Sequence, residues 1–134
     1  MKVHHVGYIT NSIEESIVEF RYLGYKLCEG GIFDDSNQNC RICMLSSSID
    51  GNKIELVEPF PNNFQMSKLL KKRGNSVYHI CYEVEDIHDC YKTFCSKEGW
   101  MNIFEPKVAI ALENRLITYF YNIKIGFVEF LNSK

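Results

Sequence analysis

Apolar and polar residues along this chain follow two rhythms. Short runs alternate with the period of a strand, longer ones recur at helical spacing, and the order of runs occurs twice. Val3 to Thr10 alternates and sets His5, Gly7 and Ile9 on one face of a strand. Ser12-Ile13-Glu14-Glu15 has capping-box form, and Ile13, Ile17, Phe20 and Leu23 continue as an amphipathic helix that Gly24 ends. Tyr25 to Glu29, Cys40 to Leu45 and Lys53 to Glu58 read as three more strands. The polar loop Asp34-Asp35-Ser36-Asn37 and the turn-rich segment Ser46–Asn52 separate them. Pro59, Pro61, Asn62 and Asn63 break the pattern, and a short helix from Met66 to Arg73 runs to Gly74.

The programme then restarts. Val77 to Val84 is a strand, and a helix capped by Asp86 ends at Gly99. Trp100 to Phe104, Leu116 to Tyr121 and Gly126 to Leu131 are three further strands. The halves keep one register: His5 and His79 lie 74 positions apart, and so do Glu55 and Glu129. Asp86 falls at the position of Ser12, and Ile87, Tyr91 and Phe94 at those of Ile13, Ile17 and Phe20. The pattern therefore predicts a single α+β domain over residues 1–134, built by duplication. Residues 1–60 form one βαβββ module, residues 77–134 a second, and residues 61–76 a linker helix between them.

That register carries the candidate chemistry. His5, Glu55, His79 and Glu129 sit in apolar strands, where an uncompensated charge is costly. Two imidazoles and two carboxylates are good ligands for a divalent metal ion, and neither half alone supplies all four. Taken singly, each has a blander reading: a lone strand histidine is usually structural, and Glu55 alone would be a surface carboxylate. The shared interval is what shifts the balance. His4 and His88 stand outside it, and the strand aromatics Tyr8, Tyr82, Tyr119, Phe120 and Tyr121 read as core or pocket wall.

Composition narrows the partners. A net charge of −2 gives no electrostatic case for nucleic acid or an anionic membrane. The basic run Lys68, Lys71, Lys72 and Arg73 lies where cations favour a helix C-terminus, although such a patch also suits an anionic ligand. No apolar stretch approaches a membrane span or a signal peptide, so the chain reads as cytoplasmic, with its six cysteines as reduced thiols. Cys40 and Cys43 form a C-x-x-C without a second ligand pair. On a strand their side chains would point to opposite faces.

With these residues the chain resembles the vicinal oxygen chelate superfamily of glyoxalases, extradiol dioxygenases, fosfomycin-resistance enzymes and bleomycin-binding proteins. Within it, methylmalonyl-CoA epimerases are the nearest in pattern. The specific segments are His5-Val6-Gly7, Lys53 to Pro59, Ser67 to Gly74 running into Tyr78-His79-Ile80, and Phe127 to Leu131. The resemblance implies a cup-shaped, curved mixed sheet with helices outside, formed from the two modules. It implies one divalent ion (Zn, Ni, Co, Mn or Fe) held by His5, Glu55, His79 and Glu129, with Tyr78 replacing the non-ligand member of a family His-His pair. It also implies a homodimer and a metal-dependent isomerase or lyase of glyoxalase or epimerase type. The substrate would be a small carbonyl compound or acyl-thioester whose enolate the metal stabilises. Glu129 or Glu55 is the candidate base.

The chain departs from the epimerase pattern in two places. The alignment puts Arg41 where those enzymes carry a glutamate thought to act as a base, making Arg41 a candidate for bidentate binding of a substrate carboxylate or phosphate. Ala109 to Arg115 and Tyr121 to Lys124 replace a Gly-rich stretch and a His-Pro-Lys segment. The alternative functions are a metal-free protein of this fold that binds a drug or metabolite, and dioxygenase chemistry, which usually wants only one carboxylate.

Overall fold

The computed structural model describes residues 1–134. The chain runs β1 (Lys2–Ile9), α1 (Ile13–Tyr22), β2 (Tyr25–Leu27), β3 (Phe33–Asp35), β4 (Cys40–Ser47), β5 (Lys53–Pro59) and α2 (Phe64–Arg73). It continues β6 (Ser76–Val84), α3 (Ile87–Cys95), β7 (Trp100–Ala109), β8 (Arg115–Asn122) and β9 (Gly126–Asn132). The local signals explain most of these limits. Ser12 Oγ accepts the amide of Glu15 at 3.2 Å, and Asp86 Oδ1 accepts those of His88 and Asp89. Gly24 and Gly99 follow the helices at φ of 88° and 84°, a left-handed conformation that L side chains resist.

The strands form one nine-stranded sheet in the order β2-β4-β5-β1-β6-β9-β8-β7, with β3 pairing β4. The order reads as the same four-strand unit twice, outward from the middle. Within each unit the first strand lies parallel to the last, β1 on β5 and β6 on β9, while β1 and β6 run antiparallel to each other. Val6 pairs with Ile80, its own counterpart in the repeat, so the pseudo-two-fold axis passes through that pair. The correspondence reaches single hydrogen bonds. Glu58 Oε1 accepts the amide of Ile13, and Asn132 Oδ1 accepts that of Ile87, each across 45 positions of sequence.

Side-chain alternation assigns the two faces. On the outer face, Ile13 and Ile17 of α1 pack on Cys43, Leu45, Ile54 and Leu56. Ile87 and Cys90 of α3 pack on Val84, Phe120, Val128 and Phe130. The inner face carries Cys40, Ile42 and Val57 in one cluster and Met44, Cys81, Ile117, Tyr119 and Leu131 in another. Cys40 and Cys43 thus belong to opposite faces. No helix is long and apolar enough to cross a membrane.

The structure adds two elements to the expected pattern. The polar segment around Asp34 contains β3, because the buried Asp35 carboxylate accepts the amides of Asn37 and Gln38 and the Gln38 side chain, closing the turn into β4. The segment after β7 holds a single 3-10 turn, Ile110–Leu112, which inserts Leu112 into the inner cluster. The first module is therefore βα followed by four strands. β7 also runs five residues past Phe104, with register irregularities near Asn102 and Phe104.

Phe120 is fully buried among the rings of Tyr91, Phe94, Trp100 and Phe130. Phe120→Ala should lower stability by about 3–5 kcal/mol, read as an earlier urea midpoint with unchanged slope.

Candidate metal centre

The four residues that share the sequence interval converge on the inner face at the pseudo-two-fold axis. His5 and His79 come from the antiparallel central pair β1 and β6, and Glu55 and Glu129 from the strands that flank them. Gly7 lies opposite Glu55 on one side and His79 on the other, and Cys81 lies opposite Glu129 and His5 in the same way. Each residue offers one donor atom, and the four donors lie within 4.8 Å of one another. His5 Nε2 is 3.2 Å from His79 Nε2, 3.3 Å from Glu129 Oε1 and 3.6 Å from Glu55 Oε1. His79 Nε2 is also 3.6 Å from Glu55 Oε1. All four are buried, with relative exposures of 1%, 2%, 2% and 0% in chain order.

Gly7 makes this convergence possible. A Cβ there would lie 1.9 Å from Cε1 of His79, so the imidazole occupies space that any other residue would fill. The requirement is close approach; Gly7 is absent from the positive-φ positions.

The electrostatics are those of two carboxylates and two imidazoles buried together. Burial and the neighbouring Glu55 charge push the Glu129 carboxyl up to about 7. For His5, burial favours the neutral ring, but Glu55 and Glu129 outweigh it and raise its pKa. Burial, helped by His5, holds His79 well below the ordinary imidazole value, so it presents a neutral lone pair. Both carboxylate oxygens of Glu129 are buried without a hydrogen-bond partner. A buried carboxylate left this way is what a bound cation would satisfy, and two imidazole nitrogens with two carboxylate oxygens suit a divalent transition metal. The residues fit the ion.

Two tyrosines complete the site. Tyr119 stands opposite Glu129 on β8, with its hydroxyl 3.3 and 3.2 Å from His79 Nδ1 and Nε2. Tyr78 stacks edge-on against His79 at 4.4 Å between centroids. Burial raises both phenols well above their usual value, so both stay protonated. Tyr119 is core and pocket wall, as its strand position implies, but its hydroxyl also reaches His79, which the sequence pattern does not show. The available signal was its place on the strand next to Glu129, at the inward alternation, in a residue type that can donate a proton. Its counterpart opposite Glu55 is Met44, which cannot.

Tyr78 and Tyr119, which touch His79, also line a cavity of about 680 Å³ beside α2. Phe104 and Phe127 continue its apolar wall, and Lys68, Lys72 and Lys107 bring positive charge to it. Part of the basic run on α2 therefore faces this space as well as serving the helix end.

Arg41 does not join the cluster. It shares the outer face of β4 with Cys43 and Leu45, and its guanidinium pairs with Glu14 of α1 at 2.6 Å and Glu58 of β5 at 3.1 Å. Alternation on β4 turns Cys40, Ile42 and Met44 inward instead, and none of these is a carboxylate.

The model of the Glyoxalase/Bleomycin resistance protein/Dioxygenase superfamily matches residues 4–119. The chain belongs to this superfamily. It is 25% identical over 122 residues to the mitochondrial methylmalonyl-CoA epimerase of Dictyostelium discoideum, an alignment covering 90% of this chain and 70% of that protein. A crystal structure of a hypothetical protein from Bacillus halodurans is 26% identical and superposes with a TM-score of 0.81, covering 99% of this chain and 94% of that one. Methylmalonyl-CoA epimerase from Mycobacterium tuberculosis shares the fold at a TM-score of 0.84 and 20% identity, over 99% and 88% of the two chains. The curved sheet of two paired modules is thus the superfamily's fold.

Two predictions follow from the geometry of this superfamily member. Gly7→Ala should force the His79 ring aside and weaken divalent-metal binding at least about tenfold, measured by competition with a chromogenic chelator. The second concerns the metal-free protein. Glu129 titrates near 7 in the fold, above its ordinary 4.5, so the fold keeps a proton that the unfolded chain releases. Its contribution to stability is complete below about 4.5 and is lost as pH rises through about 7. Glu129→Gln should therefore be more stable than wild type by up to about 3 kcal/mol above pH 7, the gap closing toward pH 4.5 in thermal melts with chelator.

Proposed function

We propose that this protein is a divalent-metal-dependent isomerase of methylmalonyl-CoA epimerase type, acting on the carbon next to the carbonyl of an acyl-thioester. One observation carries the reading. Glu129, fully buried without a hydrogen-bond partner, lies together with His5, Glu55 and His79, and Tyr78 and Tyr119, which touch His79, line a cavity of about 680 Å³ next to them. His5, Glu55, His79 and Glu129 would hold the ion. A divalent cation there supplies positive charge that acidifies the carbon beside a substrate carbonyl.

The chain's own residues supply the rest. The aromatic wall formed by Tyr78, Phe104 and Phe127 excludes water from the acyl end, and Lys68, Lys72 and Lys107 attract a negatively charged carrier group. Glu129 is placed beside Tyr119 to accept and return a proton when its carboxylate leaves the ion. Tyr119 beside it is a protonated donor on the same side of the site. On the Glu55 side the matching position is Met44, and Arg41 is engaged on the outer face. Proton transfer in this reading runs through Glu129 and Tyr119 on one side, so the α-proton leaves and returns there, and inversion requires the planar deprotonated acyl group to turn its other face to them between the two transfers.

The decisive experiment incubates protein loaded with Zn2+, Ni2+, Co2+, Mn2+ or Fe2+ with methylmalonyl-CoA and other 2-substituted acyl-thioesters in D2O. Loss of the α-proton signal is followed by NMR. The expected result is metal-dependent exchange, reduced at least a hundredfold in Glu129→Gln and at least tenfold in Tyr119→Phe, as for loss of a proton-transfer group. Absence of stoichiometric metal in the purified protein, with no exchange after loading, would overturn the proposal and favour a metal-free binding protein.

A further inference from the structure

The central strand pair carries two bulges in equivalent positions. From Val3 to His5 the β1 strand takes two steps against the single step from Tyr82 to Cys81, so His4 is the extra residue. From Gly7 to Tyr8 the situation is reversed. There β6 takes two steps, His79 to Val77, and Tyr78 is the extra residue. Tyr78 is the counterpart of His4 in the repeat, so the duplicated fold keeps the bulge next to each ligand histidine.

A bulge re-aims the side chain it displaces. In a regular strand His4 would point away from the inner face that His5 occupies. Instead its ring meets that of His5 nearly perpendicularly, at 81°, and the two Nδ1 atoms are 2.9 Å apart. The same displacement places Tyr78 against His79, but as a packing contact. His79 is held otherwise, over the bare Cα of Gly7 and beside the Tyr119 hydroxyl. The two ligand histidines therefore have different supports, and only His5 has an imidazole behind it.

Hydrogen-bond bookkeeping assigns the direction. His5 Nε2 faces Glu55, Glu129 and His79, and it serves as a metal ligand only with its lone pair free. The proton of the neutral His5 ring must then sit on Nδ1, where it needs an acceptor. The atom 2.9 Å away is His4 Nδ1, which accepts when His4 carries its own proton on Nε2. We propose that His4 is the positioning residue for His5: its Nδ1 accepts the His5 Nδ1–H and holds the tautomer and ring angle in which Nε2 is a ligand. The arrangement uses an imidazole where such sites more often use a carboxylate or a carbonyl. The inference rests on the metal-centre reading above.

The test measures Co2+ affinity by competition with a chelator, together with the visible spectrum of the bound ion, for wild type, His4→Phe and His4→Asn. His4→Phe keeps a flat ring but no acceptor, whereas the Asn Oδ1 stands close to where Nδ1 was. The expected result is about 10- to 100-fold weaker Co2+ binding in His4→Phe, with substantial recovery in His4→Asn and far-ultraviolet circular dichroism unchanged in both. In wild-type, Zn2+-loaded, 15N-labelled protein, a through-hydrogen-bond coupling between the two Nδ1 nuclei, with His4 protonated on Nε2, supports the assignment without relying on a variant. Equal affinity in wild type and His4→Phe overturns it, as does equal weakening in both variants, which would mark a packing role. Cys81 lies close to both rings, and uptake of a second Co2+ through His4 would also overturn it, making His4 a ligand itself. Wild type that binds no Co2+ at all defeats the metal-centre reading, a result distinct from wild-type binding that ignores His4.

Discussion

Two carboxylates, Glu55 and Glu129, are buried within reach of each other at the centre of the sheet, and the rest of the site is arranged around that cost. Like charges in a low-dielectric interior are tolerated only with protons or cations between them. In the metal-free protein the compensation is made by protons: His5 is biased toward its charged form, and Glu129 holds its proton to about neutral pH. His79 stays neutral, crowded between His5 and the wall. Such a cluster is a poor choice for stability alone, since apolar residues of equal volume would serve better. Its presence in an otherwise well-packed inner face is the physical argument that the position is functional.

The duplication explains how the cluster comes about. Because Val6 pairs with Ile80 on the pseudo-two-fold axis, every inward residue near that axis meets its own counterpart. One His-Glu pattern in a single module thus becomes a four-donor site when two modules dock. Symmetry stops at the level of chemistry. Opposite Glu55 stands Met44, opposite Glu129 stands Tyr119; the bulge beside His5 presents an imidazole, that beside His79 a phenol. The scaffold around the four donors is symmetric, and the residues that stand next to them are not.

Much of this was legible in the chain. The helices announced themselves through Ser12, Asp86 and the glycines behind them, and the quartet through a single repeated interval, because both depend on local pattern and on register. Other features were hidden for identifiable reasons. The strand at Phe33–Asp35 sits in a polar run, and only the acceptance of three hydrogen bonds by the Asp35 carboxylate stabilises it there. Arg41 aligned with a catalytic position, yet strand alternation turns it outward to Glu14 and Glu58, contacts that depend on where α1 lies. Tyr119 and His4 looked ordinary because their roles arise from neighbours 40 residues away or from a bulge that no local pattern marks.

The sequence by itself determined the repeat, the three helices, every strand but the short one at Phe33–Asp35, and the four candidate donors, since periodicity and spacing are properties of the linear chain. Only the tertiary structure decided which side chains share a face with those donors. It set the His79 ring over Gly7, moved Arg41 out of the site, brought Tyr119 into it and turned His4 onto His5. The physical reason is that facing is a matter of strand pairing and bulge position. A displacement of one residue in either reverses the side to which a side chain points.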